Sequence, residues 1–283
     1  MKSNTTIYVI VLVWILSGFI ICVGLYQLFL QNVKLMTVVS SSMENTLFEG
    51  DKVVVLKKLN NRIFKIRRND LLVFRRPASG NESNPLIKRC LGLPGDTIEF
   101  DANEFLINRI CVDTIKEVIH QIHFIYNNQN IPLKYNLHIN NIFRKNFNEF
   151  AVSCGLQQEC ISELMQDNYV DSLSIQDFIG ELDSQSGKLE VVVPKYDINI
   201  TILAENYRFY NRIVNTFNKD IFVGHNGSSI FSDSCKTHTI RENCYYVLGD
   251  NRINSSDSRV LGCVPESNII GKVIKIIKNN HKY

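Results

Sequence analysis

The 283-residue chain reads as a mainly β fold, a β-rich α+β soluble domain behind one N-terminal transmembrane helix. Three observations predict it. An uncharged apolar stretch opens the chain. Short β runs broken by frequent turns follow it. No second apolar run of about 20 residues appears, so the remainder should fold as a soluble domain on one side of a bilayer.

The apolar stretch is Ile7 to Leu30, IYVIVLVWILSGFIICVGLYQLFL, 24 residues without a charge. As a helix it would span roughly 36 Å, enough to cross a hydrocarbon core. A cleaved leader would have a shorter apolar region and a small-x-small site after it. Gln27 to Lys34 (QLFLQNVK) offers no such pair. An uncleaved anchor over residues 1–33 is therefore expected. Lys2 precedes the span and Lys34 follows it, so the positive-inside count is weak. A short tail before one early span is compatible with an inside N-terminus and the rest of the chain outside.

Residues 34–112 form the first part of the expected β-core. Val53–Leu56 follows the turn-like Glu49-Gly50-Asp51. Leu71–Phe74 follows Asn69-Asp70. Leu86–Leu91 precedes Pro94-Gly95, which has the residue order of a type II turn. Thr97–Phe100 and Phe105–Val112 flank Asp101–Glu104 as a hairpin. Residues 113–188 are richer in Asn and Gln and read as an inserted segment, part helical. Ile161, Leu164 and Met165 have helical spacing, and Ser174 would cap a short helix through Leu182. Residues 189–283 resume the β-core at Leu189–Val193, Ile198–Leu203, Tyr245–Leu248 and Ile269–Ile277.

Composition excludes some functions. With 45% hydrophobic and 21% charged residues, neither disorder nor a multi-span protein fits. A net charge of +3 is no argument for a nucleic-acid partner, and none is expected. The lysines Lys272, Lys275, Lys278 and Lys282 alternate with apolar residues, as on a half-solvated strand. The eight cysteines include no C-x-x-C pair, so neither a metal nor a redox cofactor is expected. Cys154 with Cys160, or Cys235 with Cys244, could bridge in an oxidising compartment; equally, these are small buried hydrophobes.

Three stretches could carry chemistry. They are Val38–Asp51 (VVSSSMENTLFEGD), Lys88–Asp96 (KRCLGLPGD) and Gly249–Gly262 (GDNRINSSDSRVLG). The first offers three consecutive hydroxyls. A serine hydroxyl needs a base to become a nucleophile. None of the six histidines lies in these stretches, so nothing local supports a Ser-His-Asp arrangement. Lysine is the alternative base, provided burial keeps its amine neutral. Strand alternation places Lys88 on one face with Leu86 and Cys90, and turns Arg89 to the other. Taken alone, a solvated strand lysine is still the commoner case. In the third stretch Asp257 and Arg259 are two apart and could pair on a strand. Asn251 and Arg252 supply donors, Ser255 a hydroxyl, and Gly249 a tight backbone path.

Together and in this order, the stretches resemble bacterial type I signal peptidases. That family carries an anchor, then P-S-x-S-M-x-P-T-L, K-R-x-x-G-x-P-G-D and G-D-N-x-x-x-S-x-D-S-R. The first pattern survives here as S-x-S-M-x-x-T-L at Ser40–Leu47. The second is intact at Lys88–Asp96 and the third at Gly249–Arg259. Val39 and Asn45 stand where the family has prolines, and Cys263 where it often has an aromatic residue.

The resemblance implies a membrane-bound serine endopeptidase that removes signal peptides from exported preproteins. Ser42, just before Met43, matches the nucleophile and Lys88 the general base. Ser40 with the Ser42 N–H would form the oxyanion hole. Ser255 would orient the lysine, Asp257 and Arg259 would form a structural ion pair beside Gly249 and Asp250, and Met43 would pack by the substrate pocket. The expected location is the cell membrane, with the catalytic domain on the extracytoplasmic side and the lipid bilayer as a partner. Three alternatives compete. Self-cleaving repressors share the dyad but need a DNA-binding motif where the span lies, and Ile7–Leu30 is too apolar for one. A maturation protease of a secretion or conjugation apparatus differs in substrate only. A tethered binding protein would keep the fold without the chemistry.

Overall fold

The computed structural model describes residues 2–58, 64–76, 84–101, 105–111, 119–126, 139–146, 149–157, 166, 170–175, 188–203, 206–216, 222–224 and 236–279. Helix α1 (Lys2–Asn32) leads the chain. At 31 residues it is roughly 46 Å long. It is apolar all round, with no polar stripe, and Trp14, Ile15, Phe19 and Ile20 are exposed. Among the described residues, no helix is long and apolar enough to cross a membrane. The unbroken run of described side chains in α1 covers only 11–24, so the expected crossing at Ile7–Leu30 extends beyond them.

Eighteen strands follow among the described residues. In the first part these are β1 (Val33–Thr37), β2 (Lys52–Lys57), β3 (Leu71–Phe74), β4 (Leu86–Gly92), β5 (Thr97–Asp101), β6 (Phe105–Ile107) and β7 (Ile110–Cys111). The middle holds β8 (Ile119–Tyr126), β9 (Ile139–Asn146), β10 (Glu149–Gln157) and β11 (Val170–Ile175). The last part adds β12 (Lys188–Val192), β13 (Asn199–Ile202), β14 (Phe222–Gly224), β15 (Lys236–Ile240), β16 (Cys244–Leu248), β17 (Val264–Pro265) and β18 (Ile269–Ile277). Helices α2 (Tyr207–Thr216) and α3 (Ser258–Leu261) lie among them.

One seven-stranded antiparallel sheet, ordered β1-β2-β18-β3-β4-β16-β17, positions the site. The C-terminal strand β18 sits between β2 and β3, so both ends of the chain build its centre. Its two faces carry separate apolar clusters. One gathers Phe64, Ile66, Leu72, Phe74, Cys90 and Val247. The other gathers Val38, Met43, Leu47, Val53, Val55, Leu71 and Val73. Each such side chain, fully buried, contributes on the order of 1.5–3 kcal/mol. A third cluster joins Ile98, Phe105, Ile107, Val191, Ile200 and Tyr246 to Phe209, Tyr210 and Ile213 of α2. Those three residues form one face of a short amphipathic helix.

The structure departs from the sequence expectations in three places. Phe105–Val112 is not one strand. Asn108 and Arg109 both have positive φ, 52° and 65°, and Ile107 pairs back onto Ile110. Positive φ at both central residues is the mark of a type I′ turn, which folds the run into the hairpin β6–β7. In the inserted segment, Ser174 lies within β11 and pairs with His123, so it caps no helix. The described part of this segment is an antiparallel sheet ordered β11-β8-β10-β9, and β8 and β10 run beside the Arg252–Asn254 turn. The expected helical spacing at Ile161–Met165 lies outside the described residues. Cys244 is a buried free thiol, so the Cys235–Cys244 bridge is not formed. The Cys154–Cys160 pair lies outside the described residues, as Cys160 does.

Candidate active site

The strand that carries Lys88 comes first. β4 lies between β3 and β16, and its register sets Lys88 opposite Leu72. Leu72, Leu86 and Cys90 belong to one apolar cluster, the face that alternation assigns to Lys88. Lys88 is 2% exposed. Burial pushes its amine down to about 8; Asp257 and Asp250 oppose that shift and Arg259 adds to it.

The Ser42 segment arrives differently. Residues 38–51 form a loop between β1 and β2. Its base is closed by Val38 N–H to the Asp51 carbonyl, 2.8 Å, and Gly50 N–H to the Val38 carbonyl, 2.9 Å. Ser41–Met43 makes one 3₁₀ turn inside it. Met43 and Leu47, both buried, root the turn in the apolar cluster below. Met43 is 1% exposed, so it supports the loop from within and lines no open surface. The turn points Ser42 inward, with its Oγ 2.6 Å from Lys88 Nζ. Lys88 also donates to the Ile87 carbonyl at 3.0 Å. Ser40 Oγ lies 3.3 Å from Ser42 Oγ. The Ser42 N–H makes no hydrogen bond within the described residues.

Asn45 holds φ at 73°. Proline is locked near −65° and could not take this conformation; asparagine tolerates it. The loop therefore runs through a backbone state that the prolines of the resembling family exclude at this position.

The third stretch closes the site from the end of β16. Leu248 pairs with Arg89, so the chain leaves the sheet beside β4. A Cβ on Gly249 would stand 2.2 Å from Ser255 Oγ and 2.5 Å from the Ser42 carbonyl oxygen. Only glycine fits there. The Gly249 N–H donates to Asp257 at 3.0 Å, and Asp257 pairs with Arg259 Nε at 2.9 Å. Burial alone would raise the Asp257 carboxyl; the Arg259 guanidinium, the Gly249 N–H and the Ser255 hydroxyl hold it below its ordinary value. Asp257 also caps α3 by accepting from Arg259 N–H. Pairing of Asp257 with Arg259 thus arises at a helix N-terminus, not across one face of a strand.

Ser255 is the exception. Its buried Oγ lies beside the Asp257 carboxylate and helps to keep it ionised, and Lys88 makes its two bonds to Ser42 and Ile87. The expected hydrogen bond from Ser255 to Lys88 is not made here. Ser255 instead packs against Gly249.

Sequence reasoning missed a second set of contacts. Arg89, turned away from Lys88 as alternation requires, forms a two-point pair with Asp250 at 2.8 and 2.6 Å. Asp250 accepts from the Thr46 hydroxyl, and Arg89 also donates to Thr46 Oγ1 at 3.2 Å. Asn251 N–H donates to the Ser42 carbonyl at 3.1 Å. Its side chain donates to the Ser41 carbonyl and to Glu44 at 3.3 and 3.2 Å. These bonds stitch the Ser42 loop to segments more than 40 and 200 residues away. No local pattern encodes them.

Comparison with known proteins gives the family. The family model described as signal peptidase, peptidase S26, matches residues 9–150 and 196–277. The signal peptidase I of Buchnera aphidicola subsp. Baizongia pistaciae is 30% identical over 248 residues, 84% of this chain and 67% of that protein. That of Buchnera aphidicola subsp. Acyrthosiphon pisum is 28% identical over 263 residues, 84% of this chain and 65% of that protein. That of Aquifex aeolicus is 28% identical over 245 residues, 85% of this chain and 73% of that protein. The chain spans about two thirds of the length of the two Buchnera relatives.

Proposed function

The chain belongs to the signal peptidase family, peptidase S26, and from that premise we propose that it is a membrane-anchored endopeptidase cutting signal peptides from exported preproteins with Ser42 as nucleophile and Lys88 as general base. The observation that carries this reading is the 2.6 Å contact between Lys88 Nζ and Ser42 Oγ at a buried lysine whose amine is lowered to about 8. A lysine with an ordinary value near 10.5 would be almost wholly protonated at neutral pH and useless as a base. At about 8, roughly a tenth is neutral at pH 7, enough to sustain catalysis.

In this mechanism neutral Lys88 takes the Ser42 proton as Oγ attacks the scissile carbonyl. The Ser42 N–H, which has no acceptor among the described residues, and the Ser40 hydroxyl at the mouth of the site face the developing oxyanion. The Lys88 ammonium then protonates the leaving amine. Water, deprotonated by Lys88, releases the acyl chain. The Asp257–Arg259 pair backs the turn at Gly249 and keeps its own charge balanced, so Lys88 is not drawn into an ion pair that would hold it protonated.

The anchor reading of α1 is supported by its 24 uncharged residues and by exposed apolar side chains on all sides, a pattern suited to lipid contact. It would hold the site near the bilayer, on the extracytoplasmic side, where preproteins are still tethered by their own apolar segments. The test is turnover of a preprotein by the full chain in detergent. Wild-type protein should release the mature product, whereas Ser42→Ala and Lys88→Ala should not. Equal rates for either variant and wild type would refute the dyad. Carbonate washing of membranes carrying the chain tests the anchor: release into the supernatant would refute it.

A further inference from the structure

Outside the three motifs, the end of the chain closes on the back of the nucleophile loop. Lys278, one residue past β18, donates from Nζ to the Thr46 carbonyl at 2.8 Å. The same ammonium lies 3.3 Å from the Asp51 carboxylate and 4.9 Å from the centre of the Phe48 ring. The next residue, Asn279, donates its N–H to Asp51 at 2.9 Å. Asp51 is 1% exposed and also accepts from the Phe48 N–H at 3.0 Å. One side chain thus touches both limbs of residues 46–51, where the loop turns back into β2.

Thr46 is held from two sides. Its hydroxyl meets Asp250 on the inner side; its carbonyl meets Lys278 on the outer side. Its N–H donates to the Met43 carbonyl at 3.1 Å, so any rocking of Thr46 is passed to the turn that bears Ser42. A half-exposed ammonium would gain little from an isolated ion pair. Here it also bonds a carbonyl and rests on an aromatic face, which fixes its place.

We propose that Lys278 is a positioning residue of the active site, a latch by which the C-terminal strand sets the angle at which Ser42 meets Lys88. This rests on the Ser42–Lys88 reading above. Small misplacements of a nucleophile cost rate far more than binding. Loss of the latch should therefore appear in kcat and leave KM largely alone.

The experiment uses the full chain in detergent with a peptide spanning a signal-peptide junction, small residues at −1 and −3. It compares wild type, Lys278→Met, Lys278→Arg and Ser42→Ala, with kcat, KM and melting temperature read for each. Lys278→Met should lower kcat about 5- to 10-fold with KM within about twofold, at a temperature well below its melting point. Lys278→Arg, which keeps charge and reach, should retain about half of kcat or more. A Lys278→Met kcat within twofold of wild type would overturn the latch, whatever the melting temperature does. So would a Lys278→Arg enzyme as slow as Lys278→Met. If Ser42→Ala remains active, the underlying dyad fails. If Ser42→Ala is inert and Lys278→Met is normal, only the latch fails.

Discussion

Lys88 and Ser42 reach the same point by opposite routes. Lys88 sits on β4, an inner strand of a seven-stranded sheet; its register with β3 fixes it, and its neighbour Arg89 is paired to β16. Ser42 sits on a loop that has no strand partner at its tip. Its place depends on Arg89, Asp250, Asn251 and, at the back, Lys278. The difference suits the two tasks proposed for them. A base must be dry to be neutral, and a strand between two apolar clusters is dry. A nucleophile must be reached by a long substrate, and a loop can be open on one side.

The largest expected effect tests the endpoint of both routes. Ser42→Ala and Lys88→Ala should each cut kcat/KM by about 10³-fold or more, and the wild-type rate should rise with pH through an apparent value of about 8, that of Lys88. A rate flat from pH 6 to 9 would remove Lys88 as the base.

Next comes the clamp on the loop. Asp250 is fully buried and Arg89 nearly so. Arg89→Ala would leave a buried carboxylate unpaired, at a cost of about 3 kcal/mol in urea unfolding. A loss below about 1 kcal/mol would mean that the loop is held elsewhere.

The strand side makes a contrary prediction about stability. The folded value of Lys88 is below its unfolded 10.5, so the unfolded chain binds more protons between about 8 and 10.5. Stability should therefore rise with pH across that window, with the penalty full below it, by about 3 kcal/mol. Lys88→Met should remove this slope, and be at least as stable as wild type at pH 7. A slope that survives in Lys88→Met would assign it to another group.

The smallest effect is Thr46→Val, which keeps shape and drops the hydroxyl to Asp250. Loss of about 1 kcal/mol is expected, with kcat reduced more than KM. An unchanged kcat would detach Thr46 from the positioning of Ser42.

The β-core was legible because alternation and turn chemistry are local. Leu71–Phe74 and Ile269–Ile277 lie where their apolar runs predict, and Pro94-Gly95 makes its turn with Gly95 at φ 90°. The same locality failed at Asn108-Arg109, where asparagine suits a positive φ but arginine gives no turn signal, and at Ser174, whose hydroxyl fits a cap or a strand equally. Helix α2 was missed because its described apolar face, Phe209, Tyr210 and Ile213 with Tyr207 packed beside them, is too short a pattern to stand out. In the site, alternation gave the correct face for Lys88 and for Arg89. What Arg89 turns toward was not legible, since Asp250 is 161 residues on.

By itself the sequence determined which residue types stand in the three motifs, and that Lys88 faces an apolar side of its strand. Side-chain period is a property of the strand alone. Tertiary structure decided the rest: the 2.6 Å approach of Ser42, the depth of burial that lowers the lysine, and the anchoring of the nucleophile loop by residues from the far end of the chain. Distance between two atoms and the water excluded around them depend on segments that meet only after folding, and no local pattern carries that information.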